Sequence, residues 1–215
     1  MSDAHPEDPH PGDSAELAAL AEHFGAQPYR ASPWAGHGVT PFGADVLHTP
    51  TRAVSEFDDR LRDLGDYMIE VMHERDGIGL AANQIGLDLR LFVHGLPRVV
   101  DPVIVNPRIT AVHDDTWTYE EGCLSLKLDG TYRTVVRPKR IRVEAQRLDG
   151  SAITIEADEL LSRVFQHEID HLDGHVFAQR VTGDGRSTLY QLMESAGVPT
   201  ERLPELPLLS VVNEG

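Results

Sequence analysis

Cysteine is almost absent from this chain: Cys123 is the only one in 215 residues. That excludes an internal disulfide framework and fits a reducing compartment. Positive charge is scarce as well. Nineteen Lys and Arg stand against 35 Asp and Glu, for a formal net charge of −16. Phosphates would be repelled, so neither DNA nor an anionic membrane is an expected partner. The densest basic run, Arg137-Pro138-Lys139-Arg140, reads as a solvated strand start. No apolar stretch approaches the roughly 20 residues that cross a bilayer. The first basic residue is Arg30, so the early positive charge of secretory and organelle-targeting peptides is lacking. The expected location is cytoplasmic. The remaining composition, 40% hydrophobic and 25% charged, is ordinary for a globular domain with a core.

The most informative stretch present is Gln166-His167-Glu168-Ile169-Asp170-His171. Residues four apart on a helix are neighbours, so both imidazoles can reach one divalent cation. Glu168 then stands where it can handle the proton of a water molecule. This is the H-E-x-x-H arrangement of metallohydrolases. Against it stand two helix-surface histidines with a solvated Glu, in a chain of eleven histidines. A catalytic site wants a third protein ligand and one open position. The metzincin continuation fails, because Phe177 occupies the place of the third His and His175 is out of register.

Cys123 lies in Glu120-Glu121-Gly122-Cys123-Leu124-Ser125 and can be a small buried hydrophobe, an incidental thiol or a metal ligand. Upstream, Gly77-Ile78-Gly79-Leu80-Ala81-Ala82-Asn83-Gln84 has Ala82 where a dinucleotide loop needs its third Gly, and it follows a helical stretch rather than a strand. It reads instead as tightly packed backbone that delivers Gln84 to a site.

In this order the three segments resemble those of the peptide deformylases, which carry G-x-G-x-A-A-x-Q, E-G-C-L-S and Q-H-E-x-D-H. The resemblance runs from about Val39 to Val181. It departs at Asn83, where Pro or Thr is more usual, and at 126–132, which lacks a common proline; both bear on the shape of one cleft wall. The resemblance implies removal of the N-formyl group from the N-terminal formyl-methionine of newly made polypeptides, with release of formate. It implies Cys123, His167 and His171 as ligands, Glu168 as proton carrier, and the Gln84 amide with the Leu124 backbone N–H as oxyanion donors. It favours Fe(II), one per chain, with Zn, Ni or Co as substitutes; a Cys-His-His set suits several of these metals alike. Ile78, Gly79 and Gly122 would offer backbone to an extended peptide. Any ribosome contact would be transient. Glu121 is expected to make a structural hydrogen bond, and Asp170 and Asp173 to orient other groups or meet solvent. Two other readings are a zinc peptidase with a ligand other than Cys123 and a binding protein without turnover, which the intact Glu168 and Gln84 disfavour.

The expected fold is α+β: antiparallel strands packed around a central metal-binding helix, with a C-terminal helix. Residues 1–36 read as a partly disordered extension with a short helix at Ala15–Phe24, 37–182 as the catalytic domain, and 183–215 as a helix and a tail without chemistry. A helical stripe spans Glu56–Arg75, started by a Ser55–Asp58 capping box and stopped by Gly77. Strands are expected at Leu89–Val93, Val103–Val105, Thr116–Glu120, Arg140–Leu148 and Ser151–Ile155, the last two joined by an Asp149-Gly150 turn. The metal helix should run from Asp158 to Asp173 and end at Gly174. Leu160 and Val164 continue the stripe of its two histidines as a buried apolar run, either core or pocket wall. Arg163 is expected at the rim or in a salt bridge, and a last helix at Ser187–Ser195.

Overall fold

The computed structural model describes residues 38–210, apart from Arg98, Val100, Lys127 and Arg202. The expected N-terminal extension, with its Ala15–Phe24 helix, lies outside the described residues. Helix α1 spans Asp59–Glu74. Short strand β1, Gly79–Ala81, runs into a 3-10 turn at Ala82–Ile85. Then follow β2 (Leu91–His94), β3 (Val103–Val112), β4 (Thr116–Glu121), β5 (Arg133–Pro138), β6 (Arg140–Gln146) and β7 (Ala152–Asp158). Helix α2, Glu159–Leu172, precedes a 3-10 turn at Phe177–Arg180 and helix α3, Gly183–Ser195. The strands form a five-stranded antiparallel sheet ordered β1-β2-β3-β6-β7 and a separate β4-β5 ribbon. Among the described residues no helix is long and apolar enough to cross a membrane.

The apolar patterns follow from what covers each face. Side chains alternate across a strand. Leu91 and Val93 enter a cluster with Leu61, Leu64 and Met68 of α1, while Phe92 between them enters one with Leu161, Phe165 and Ile169 of α2. The sheet is thus covered on both sides at β2, and that strand is buried without a break. At β6, Ile141, Val143 and Ala145 face α2, and the residues between them are more exposed. Helix α2 is buried nearly all round, polar residues included. The expected α+β fold with a central metal-binding helix is what forms.

Several local expectations shift. Helix α1 starts at Asp59, capped by Asp58 alone, whose carboxylate accepts from the N–H groups of Arg60 and Leu61. The Ser55–Asp58 box falls one turn too early. The left-handed residue at the end of α1 is Asp76, φ 54°, and not Gly77; a short polar side chain tolerates that conformation. The stop of α2 is the one expected. It ends just before Gly174, φ 78°, where a Cβ would meet Thr49 backbone at 2.9 Å.

Strand β3 continues to Val112, well past its expected end at Val105, and β7 to Asp158. Asp158 is the N-cap residue of α2 by backbone geometry, without a side-chain cap bond. Helix α3 begins at Gly183 rather than Ser187. Strand β5 has no counterpart in the expectations, and it corrects the reading of the basic run at one end: Arg137 is only 2% exposed, while Arg140 opens β6 exposed as expected. The chain after α3 also packs, with Leu203 buried against Leu189, Met193 and Phe177.

The Phe92 and Phe165 rings meet edge to face at 5.0 Å between sheet and α2. Phe92→Ala is expected to destabilise the fold by about 3–5 kcal/mol, the usual range for a large core truncation. Chemical denaturation measures it; a loss below about 1 kcal/mol would show that this face does not hold the helix.

Candidate metal centre

Helix α2 sets His167 and His171 one turn apart, with ring centroids at 5.0 Å. The segment after β4 brings Cys123 to them. One ligand atom from each of Cys123, His167 and His171 lies within 4.8 Å of the others, and Cys123 Sγ is 3.3 Å from His171 Nε2. Burial pushes the Cys123 thiol up, but attraction by His171 and hydrogen bonding to both rings outweigh it and bring it down to about 5. Burial pulls His167 down, yet its bonds to Cys123 and Glu121 carry it well above the ordinary value. The site thus favours a thiolate, and the thiolate in turn favours a cation on the imidazole side. A thiolate with two imidazoles is a donor set that suits a divalent transition metal, and three such ligands leave a position open.

Glu168 is buried next to His167, and its Oε2 has no protein partner among the described residues. Burial raises its carboxyl to about 7, against the pull of His167 and His171. Gly79 faces it so closely that a Cβ there would collide with Glu168 Oε1 and lie 3.0 Å from Val164 Cγ1. Only glycine leaves room for that carboxylate. Gln84 follows one turn later. Its Oε1 accepts from Ala81 N–H at 2.8 Å, which orients the amide so that Nε2 faces Cys123 Sγ at 3.5 Å and Ser125 Oγ at 3.4 Å. The Gly77–Gln84 segment therefore packs tightly and delivers the amide, as its composition implies.

The remaining expected residues divide. Leu124 follows Cys123 and packs its side chain against the α1 cluster. Gly122 lies under the ring of Tyr132, which a Cβ would meet at 2.8 Å. Ile78 is 50% exposed next to Gly79, and Val164 is buried. Leu160 departs from the expected buried stripe: it is 39% exposed in the first turn of α2.

Around these three side chains runs a set of charges that no local sequence pattern assembles. Glu121 accepts from Arg137 Nε and Nη2 at 2.7 and 2.9 Å and from Arg163, and its Oε2 lies 3.1 Å from His167 Nδ1. Burial works against the charge on Glu121, but Arg137 and His167 hold its carboxyl well below the usual range. Glu121 thus has the structural hydrogen bond expected of it, and that bond orients the His167 ring. Arg163 is in a salt bridge as expected, though buried rather than at a rim, with its guanidinium 5.2 Å over the Trp117 ring. Asp170 is buried between Arg137 and Arg180, and Asp173 pairs with Arg90. Asn83 donates to the His171 carbonyl at 2.5 Å and so pins the end of α2. Phe177 stacks on His167 at 6.1 Å. No local pattern marks Arg137, because its partners lie 16 and 33 residues away.

A model of the polypeptide deformylase family matches residues 37–187. The peptide deformylase of Acidobacterium capsulatum is 47% identical over 149 residues, 67% of this chain and 85% of that protein. That of Acinetobacter baumannii is 39% identical over 166 residues, covering 76% and 93%. The crystal structure of a Synechococcus elongatus peptide deformylase in complex with actinonin aligns at a TM-score of 0.71 and 34% identity, over 78% of this chain and 91% of the other. The Thermus thermophilus structure aligns at 0.67 and 40% identity, over 74% and 93%. With the matched region enclosing all three motif segments, Gly77–Gln84, Glu120–Ser125 and Gln166–His171, this chain belongs to the peptide deformylase family.

Proposed function

We propose that this chain hydrolyses the N-formyl group from the N-terminal formyl-methionine of newly made polypeptides and releases formate, with Cys123, His167 and His171 holding the metal. The observation that carries the residue roles is the convergence of those three side chains with buried Glu168 and the oriented Gln84 amide. A divalent ion held there supplies Lewis acidity, which acidifies water and polarises a carbonyl. Fe(II) is the proposed ion, with Zn, Ni or Co as substitutes. Glu168 takes the proton of the attacking water and hands it to the departing amine. A carboxyl whose proton affinity burial has raised to about 7 suits a group that must both take and give. The Gln84 Nε2 and the Leu124 backbone N–H donate to the developing oxyanion.

The substrate peptide lies along β1, the outer strand of its sheet, using backbone at Ile78, Gly79 and Gly122. Val164 beside Gly79 and exposed Leu160 and Ile78 supply apolar surface for the methionine side chain. The catalytic domain is assigned to residues 37–182, with cytoplasmic location and at most a transient ribosome contact.

Cys123→Ser is expected to lose most bound metal, read by elemental analysis; wild-type metal content would remove Cys123 from the ligand set. Glu168→Ala should keep metal and lose about 10²–10⁴-fold in turnover, and near wild-type turnover with metal present would refute the proton role. Formyl-Met-Ala should release formate readily and acetyl-Met-Ala hardly at all, because the acyl carbon must fit beside Gln84. Equal rates on the two would point to a general aminoacylase, and cleavage of an unblocked peptide to a peptidase.

A further inference from the structure

A chain of charged contacts runs from the segment after α3 to His167. Leu203 is buried, and its carbonyl accepts from Arg186 Nη2 at 2.6 Å and Tyr190 Oη at 2.9 Å. Leu206 N–H donates to the Gln179 carbonyl at 2.8 Å, and the Gln179 amide donates to the Pro204 carbonyl at 3.2 Å. So fastened, the segment sets the Pro207 carbonyl 2.5 Å from Arg180 Nη1. The same guanidinium holds Asp170, Nη2 to Oδ1 at 2.6 Å and Nε to Oδ2 at 3.2 Å. Asp170 Oδ2 also accepts from Arg137 Nη1 at 2.7 Å, and Arg137 grips Glu121.

We propose that Arg180, held by the segment Leu203–Pro207, is a positioning residue for His167 and tunes how tightly the site holds its divalent ion. The inference rests on Cys123, His167 and His171 being the ligands. Its physical core is that two carboxylates share Arg137. Arg180 neutralises Asp170, which leaves Arg137 Nε and Nη2 for Glu121. Without Arg180, Asp170 is a buried anion with Arg137 as its remaining cation, and it draws that guanidinium away from Glu121. Arg163 does not make good the loss, because it reaches Glu121 Oε1, whereas His167 meets Oε2. Oε2 is held by Arg137 Nη2. Groups that orient a ligating His typically change metal affinity about 10–100-fold when removed.

The test titrates Co(II) into metal-free full-length protein and reads its visible absorption, with a melting curve for each variant. Arg180→Gln is expected to bind Co(II) about tenfold more weakly. Adding Asp170→Asn to that variant removes the competing charge and should restore most of the affinity. A merely structural salt bridge predicts the opposite, since the double variant would be the more damaged. Wild-type affinity in Arg180→Gln, or a double variant no tighter than the single, overturns the proposal. A chain ended after Leu206 keeps Arg180 but loses the Pro207 carbonyl, and serves if Arg180→Gln does not fold. It should show a smaller loss in the same direction, and unchanged affinity there also counts against the proposal. Cys123→Ser run alongside separates the two readings: if it binds Co(II) like wild type, the ligand assignment fails, whereas if it alone loses Co(II), the role of Arg180 fails.

Discussion

Arg137 carries a full charge into the interior, and a buried guanidinium is tolerated only when paired and hydrogen-bonded. Its partners come from separate elements: Glu121 from the end of β4 and Asp170 from the second half of α2. One side chain on β5 thereby ties the β4-β5 ribbon to the central helix. Cys123 stands two residues beyond Glu121, and the histidines flank Asp170 on the helix. The ion cluster that satisfies Arg137 is thus also what brings thiolate and imidazoles together. Removing one partner from such a cluster strands a charge, typically at a penalty of about 3–5 kcal/mol.

The rest of the site depends on close approach between the sheet and α2. Gly79 lets the helix carboxylate of Glu168 come against β1, and Asn83 fastens the helix end to the next turn. Polar groups of α2 that face inward find partners on β5: Ser162 and Gln166 both donate to the Pro138 carbonyl. A helix this polar can sit in the middle of a protein because most of its inward groups have such an acceptor or an ion pair. The metzincin alternative is closed physically as well as by spacing, since Phe177, in the place of the third His, stacks on the His167 ring.

Much of this was legible in the residues themselves. The α1 stripe, the alternation of β6, the Asp149-Gly150 turn and the His167–His171 spacing are short-range patterns with one mechanical reading each. Glycines beside a lone Cys and a Gln pointed to a tightly packed site. Helical spacing puts Leu160 on the side of α2 that carries Val164 and the histidines, but it does not set how far that side is covered, and Leu160 stays exposed while Leu161 beside it is buried. Strand β5 escapes a pattern reading because it mixes arginines and proline with its β-branched residues, and its pairing partner lies across a loop.

The sequence by itself determined which metal-capable side chains are present, the spacing of the two histidines on α2 and the family to which the chain belongs, since these depend on residue identity and local periodicity. Tertiary structure decided which distant charges surround those ligands. Arg137 in a basic run reads as solvated until β5 lies beside β4 and under α2, and Arg180 is unremarkable until the segment after α3 folds back over it. Burial and pairing over tens of residues depend on which strands become neighbours, and no local pattern encodes that.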